Sequence, residues 1–171
     1  MEGEIVNRVA NSKLKVIDLE DFYPDGERIS LDIKDWLWED LVLREKEFRA
    51  FVKEHDWSQY QNAYVVIYCS TDAIIPDWAY MLISIQLQNI AKFSIVGQLS
   101  DLETALYAKI ISDLDVSNYE GMPVIIKGCS NKPVPANALI FLSQKLKPIA
   151  KSIMFGEACS AVPLYKEKKI K

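Results

Sequence analysis

Cys69, Cys129 and Cys159 are the three cysteines of the chain, and each is followed directly by serine. The apolar runs VVIY, VIIKG and IMFGEA lead into Cys69-Ser70, Cys129-Ser130 and Cys159-Ser160. Thiolates are nucleophiles and soft metal ligands, so their recurrence at matching strand-to-loop junctions suggests one shared thiolate site. A single zinc needs three sulfurs about 3.8 Å apart, given Zn–S bonds near 2.3 Å. An iron–sulfur cluster is also held by cysteine thiolates and spans a larger gap. Zinc is the first expectation, an iron–sulfur cluster the second, and no cofactor the third. The third stands because reduced cysteine also packs like a small hydrophobe. The spacings are not of the CxxC type that marks a zinc ribbon or a redox pair.

Three residues stand close enough in sequence to assist. Asp72 follows Cys69 by three positions and Glu157 precedes Cys159 by two, so either is a candidate fourth ligand or general base. Lys132 opens the stiff stretch Lys132-Pro133-Val134-Pro135 after Cys129 and, with Lys127, would favour a thiolate there. His55 is the only histidine. It invites a Cys3His zinc site, but it precedes the first core strand and belongs near the opposite, amino-terminal edge. A helix C-terminal histidine favoured by the macrodipole is the plainer reading. One histidine does not support a Ser-His-Asp triad. No GxGxxG or Walker A motif supports nucleotide binding.

The elements that would position these residues alternate. Residues 63–68 (AYVVIY), 92–96 (KFSIV), 123–126 (PVII) and 152–155 (SIMF) read as strands. Residues 76–91, 101–114 and 136–146 carry apolar residues at helical spacing. Pro76 suits a first helical turn, and Ser100 with Glu103 reads as a capping box. Strand–helix alternation implies right-handed crossovers and a four-stranded, mostly parallel sheet built from βαβ units. The order 2-1-3-4 would make the three cysteine-bearing strands contiguous and bring the sulfurs to one carboxyl edge, where open α/β sheets bind ligands. The second strand ends Gly97-Gln98-Leu99-Ser100, with leucine in place of cysteine, as if one supersecondary unit recurs.

Ahead of this core, residues 14–19 (LKVIDL) and 28–33 (RISLDI) alternate in period two around Pro24-Asp25-Gly26. That predicts an N-terminal antiparallel β-hairpin. Residues 44–54 predict an amphipathic helix with Phe48, Phe51 and Val52 on one face. Trp36 and Trp38 read as two aromatics on one side of an extended segment, a core or homodimer contact. With no Gly- or Ser-rich linker, the expected organisation is one α/β domain over 1–171. It comprises an N-terminal hairpin and helix (1–62), the α/β core (63–165) and a basic tail (166–171).

With 20 basic against 24 acidic residues, the net charge is −4. No basic surplus exists to neutralise a phosphate backbone, which argues against nucleic-acid binding. The opening MEGEIVNRVANSK lacks the basic-then-apolar layout of a signal peptide. The apolar stretches are too short and interrupted to cross a bilayer. No membrane partner is expected, and a cytoplasmic setting, where thiols stay reduced, follows.

The segments EIVNRVANSKL, HDWSQY, CSTDAIIPDWAYM, KGCSNKPVP and SIMFGEACSAVPL, spread over nearly the whole chain, resemble a family of uncharacterised bacterial proteins, a domain of unknown function. The resemblance implies that the Cys69, Cys129 and Cys159 segments are signature regions; it supplies neither a reaction nor a metal. The expectation is a cytosolic protein with a zinc or iron–sulfur site on those cysteines, open to a small molecule. The alternative is a non-enzymatic interaction or structural module whose cysteines only pack.

Overall fold

The computed structural model describes residues 14–128 and 131–168. In chain order the elements are β1 (Lys15–Asp18), β2 (Arg28–Asp32), α1 (Glu45–Glu54), β3 (Tyr64–Tyr68), α2 (Asp77–Leu87), β4 (Phe93–Val96), α3 (Leu99–Asp113), β5 (Pro123–Lys127), α4 (Ala136–Leu146), β6 (Ser152–Phe155) and β7 (Val162–Lys166). Among the described residues this is a mixed α/β protein with four α-helices and two sheets, ordered β1-β5-β6-β7 and β2-β3-β4. The chain divides into two compact units, one from residues 1–23 and 106–171 and the other from 24–105.

In the 24–105 unit, β2, β3 and β4 are parallel, with β3 central. Val65, Val66 and Ile67 of β3 are all buried, as a strand covered on both faces requires. Helix α2 presents Ala79, Ile83 and Leu87 at four-residue spacing, and α1 presents Phe48 and Val52. These side chains close over Leu31, Ile33, Val65 and Ile67. In the other unit, β1, β5 and β6 are parallel and β7 adds to β6 antiparallel. Ala138, Leu142 and Leu146 of α4, with Tyr107 and Ile111 of α3, cover Ile17, Val124, Ile126 and Ile153. Tyr107 is fully buried, and its hydroxyl donates to the Leu19 carbonyl at 2.9 Å. Burying each large aliphatic side chain contributes about 1.5–3 kcal/mol.

The two units repeat one design at a constant interval of 59 residues. Phe48 and Val52 correspond to Tyr107 and Ile111, and Ala79, Ile83 and Leu87 to Ala138, Leu142 and Leu146. The turns match as well. The Asn62 N–H donates to the Ile90 carbonyl at 2.8 Å, and the Gly121 N–H to that of Ile149 at 2.9 Å. Both donors have positive φ, 59° and 65°, which asparagine and glycine tolerate best. At the other end of the strands, Gly97 donates to Ile67 at 3.1 Å and Gly156 to Ile126 at 3.0 Å. This two-fold repeat is not the recurrence read from the Cys-Ser segments, because an interval of 59 residues sets Cys69 opposite Gly128 and Cys159 opposite Ser100.

Several expectations change. Residues 14–19 and 28–33 do supply β1 and β2, but no antiparallel hairpin forms; β1 pairs with β5 and β2 with β3, both parallel. The turn signal between them serves another purpose. The carbonyls of Pro24 and Gly26 accept from the Arg28 guanidinium at 2.8 and 2.6 Å. The neighbours β3–β4 and β5–β6 are those a βαβ reading implies, but β3 does not pair with β5, so the order 2-1-3-4 is not found. Strands β2 and β1 occupy the edges of β3 and β5 through which that link would run. Helix α3 begins at Leu99, so Ser100 lies inside it, and Glu103 pairs with Arg28 in place of closing a capping box. The tryptophans part company. Trp36 lies in a short 3-10 helix, Lys34–Trp36, and is buried in edge-to-face contact with Phe48 and Trp57. Trp38 is exposed under the Arg44 guanidinium, 3.9 Å from its ring centroid.

Candidate functional site

The carboxyl ends of the parallel strands carry the predicted residues, and each unit holds its own set. In the 24–105 unit, Cys69 follows β3 directly and is half-buried against the core. Its sulfur lies 3.2 Å from the Thr71 hydroxyl. The loop that holds it is anchored from β2: Asp32 Oδ1 accepts the N–H groups of Ser70 and Lys34, each at 3.1 Å. Partial burial works to raise the Asp32 pKa, but hydrogen bonds from the Ser70 side chain and from these two amides outweigh it and hold the carboxyl below its usual range. Asp72 is exposed on the same loop.

In the other unit, β5 and β6 are neighbours, and the chain leaves β5 through Lys127 and Gly128 toward Cys129. Cys129 and Ser130 lie outside the described residues. Gly128 has φ 139°, and a Cβ there would meet the Leu19 Cβ at 2.8 Å, so close backbone approach requires glycine. Beyond the cysteine, the Asn131 N–H donates to Glu20 Oε1 at 2.9 Å, a counterpart of the Asp32–Ser70 anchor. Lys132 places its ammonium 5.1 Å from the Tyr23 ring centroid. Two residues beyond β6, Glu157 reaches Lys127 Nζ at 2.7 Å. That hydrogen bond, with the fields of Glu157, Asp18 and Glu20, raises the Lys127 pKa above its ordinary value. Cys159 is exposed in the turn closed by the Ser160 N–H on the Glu157 carbonyl at 2.9 Å.

Contiguity of all three cysteine-bearing strands is not observed. The strands before Cys129 and Cys159 are adjacent, whereas the strand before Cys69 belongs to the other sheet. Among the described residues no group of three or more His, Cys, Asp or Glu side chains is arranged to hold a metal ion. His55 caps α1. It packs against Trp36 and Trp57 at centroid distances of 5.0 and 4.8 Å, with Nε2 2.9 Å from the Tyr60 hydroxyl. Burial depresses its pKa, only partly offset by Asp56. Sequence reasoning missed the anchoring carboxylates Asp32 and Glu20. Their signal was present as an acidic residue at the end of, or just after, each N-terminal strand.

No helix among the described residues is long and apolar enough to cross a membrane. The family model described as "Protein of unknown function (DUF2480)" matches residues 3–167. The chain belongs to this family. No curated protein and no solved structure matches it.

Proposed function

We propose that the chain is a cytoplasmic thiolate protein whose cysteines, Cys69 of one unit and Cys129 and Cys159 of the other, are the ligands through which it binds zinc or, as second choice, an iron–sulfur cluster. One coordination position would remain open to a small molecule, and the protein binds neither nucleic acid nor membrane. The observation that carries this reading is the exposure of Cys159. A cysteine kept only as apolar filler belongs in the core, and this one is exposed two residues after Glu157, the partner of Lys127. Thiolate donors suit zinc and iron–sulfur clusters. Glu157 has Lys127 on one carboxylate oxygen and offers the other as a ligand or base; Asp72 and Lys132 are the further candidates.

One observation favours the alternative of an interaction or structural module. Cys69 packs against the hydrophobic core of its unit, as a filler cysteine does. Metal analysis and an absorption spectrum of anaerobically purified protein separate the readings. Zinc near one per chain, or the brown absorption of a cluster, supports the thiolate site. Metal-free protein whose native thiols resist labelling sinks it.

A further inference from the structure

The internal repeat exposes one place where the two units differ. In the 1–23/106–171 unit, the edge of β6 is covered by β7, with Ile153 opposite Tyr165 and Phe155 opposite Val162. Its counterpart in the other unit is β4, and among the described residues no strand pairs with the outer edge of β4. Gly97 donates inward to Ile67. By the alternation of a strand, Ser94 and Val96 then direct their N–H and C=O groups outward. They stand 59 residues before Ile153 and Phe155, the two β6 residues at the matching positions opposite β7.

The flank beside this edge is equally bare. A groove of about 360 Å3 runs between α2 and β4, lined by Tyr80, Met81 and Ile85 on the helix and Ile95 and Val96 on the strand. None of its lining residues is charged. Met81 is 64% exposed, Ile85 62% and Val96 50%. In the repeat, Leu164 and Tyr165 of β7 lie beside Ser143 and Gln144 of α4, the counterparts of Ser84 and Ile85. Edge strands in native proteins are usually protected by lysine, proline, a bulge or a covering element. The four residues of β4, Phe-Ser-Ile-Val, include no lysine, proline or bulge, so its shortness is the one such protection the strand itself carries.

We infer that the β4 edge and the α2–β4 groove form a docking surface for a second copy of this chain, joined by antiparallel β4–β4 pairing. A two-fold axis through β4 makes the pairing antiparallel, the same sense in which β7 meets β6. It sets one uncharged apolar groove against its twin, so no like charges oppose each other. An isologous contact of this kind closes the assembly at two chains. The inference is independent of the thiolate site.

Sedimentation velocity of the full chain across micromolar concentrations tests it, with amide hydrogen exchange as the second readout. The wild type should sediment at twice the chain mass. Replacing both exposed positions, Ile85→Lys with Val96→Lys, should raise the dissociation constant about a hundredfold or more, because like charges face each other across the axis. Circular dichroism and the melting profile of the dissociated variant should match those of dilute wild type. The Ser94 and Val96 amides should be protected in the wild-type dimer and exchange freely in the variant. A wild type that stays monomeric overturns the inference, as does a dimer untouched by the two lysines. A monomer that instead captures an unrelated extended peptide on β4 assigns the edge to another occupant and overturns it as well.

Discussion

Lys127 and Glu157 meet at 2.7 Å across the carboxyl ends of β5 and β6, each two residues ahead of a cysteine. The parallel register that sets Ile126 beside Phe155 brings these two side chains into reach. Glu157→Gln removes the partner that raises the Lys127 pKa above its ordinary value. The Lys127 pKa should fall back toward the ordinary lysine range, and its amine should acetylate faster at mildly alkaline pH. Residue-resolved mass spectrometry reads the rate, and an unchanged rate at Lys127 would refute the coupling.

His55 makes stability pH-dependent in a direction that follows from burial. Its folded pKa lies below the unfolded value of about 6.5. The unfolded state therefore binds more protons between the two, and stability rises with pH through that window. Acidification below about 6.5 should lower the melting temperature. As this is the chain's single histidine, His55→Gln should flatten the slope between neutral and mildly acidic pH. A slope that survives the substitution would assign the effect elsewhere.

Arg28 and Glu103 form an ion pair at 2.9 Å with side chains only 13% and 10% exposed. Arg28 also donates to the Pro24 and Gly26 carbonyls and stacks on Tyr64, 4.9 Å from the ring centroid. Removing one partner of such a pair leaves a poorly solvated charge, so Glu103→Ala should cost up to about 3 kcal/mol. The equally short but exposed pair Arg49–Glu45 should lose less than about 1 kcal/mol in Arg49→Ala. Urea titrations of the two variants check the contrast, and equal losses would contradict it.

Ile83 and Leu142 occupy the same position of the repeat, and neither is exposed. Ile83→Ala and Leu142→Ala should each cost about 2–5 kcal/mol, the transfer term plus the cavity left behind. A loss below about 1 kcal/mol at either position would show that the site collapses around the smaller side chain. Chemical denaturation followed by circular dichroism measures both.

The elements were legible to different depths. The β-branched runs of β3 to β6 and the helical spacing of Ala79, Ile83 and Leu87 were readable because each depends on local periodicity. The alternation of residues 14–19 and 28–33 was readable as strands but not as parallel ones. Their partners lie 36 positions away for Arg28 and Tyr64, and farther still for Lys15 and Val124. At the site, Cys69, Glu157 and Lys132 were visible as residue types near strand ends. The anchors Asp32–Ser70 and Glu20–Asn131 were not, since each joins a loop to a strand or turn remote in sequence.

The sequence by itself determined strands β1 to β6 and the helices, which of their faces are apolar, and that Cys69 and Cys159 follow strands, whereas β7 was not read from it. Those properties rest on side-chain period and backbone preference, which are written residue by residue. Only the tertiary structure decided that β1 and β2 separate into two sheets, that β3 and β5 do not pair, and that among the described residues β6 gains an edge strand while β4 does not. Strand neighbours are chosen by backbone hydrogen bonds, which are chemically alike at every residue. The choice among them is made by whichever arrangement buries the apolar faces together, and that is a property of the folded chain.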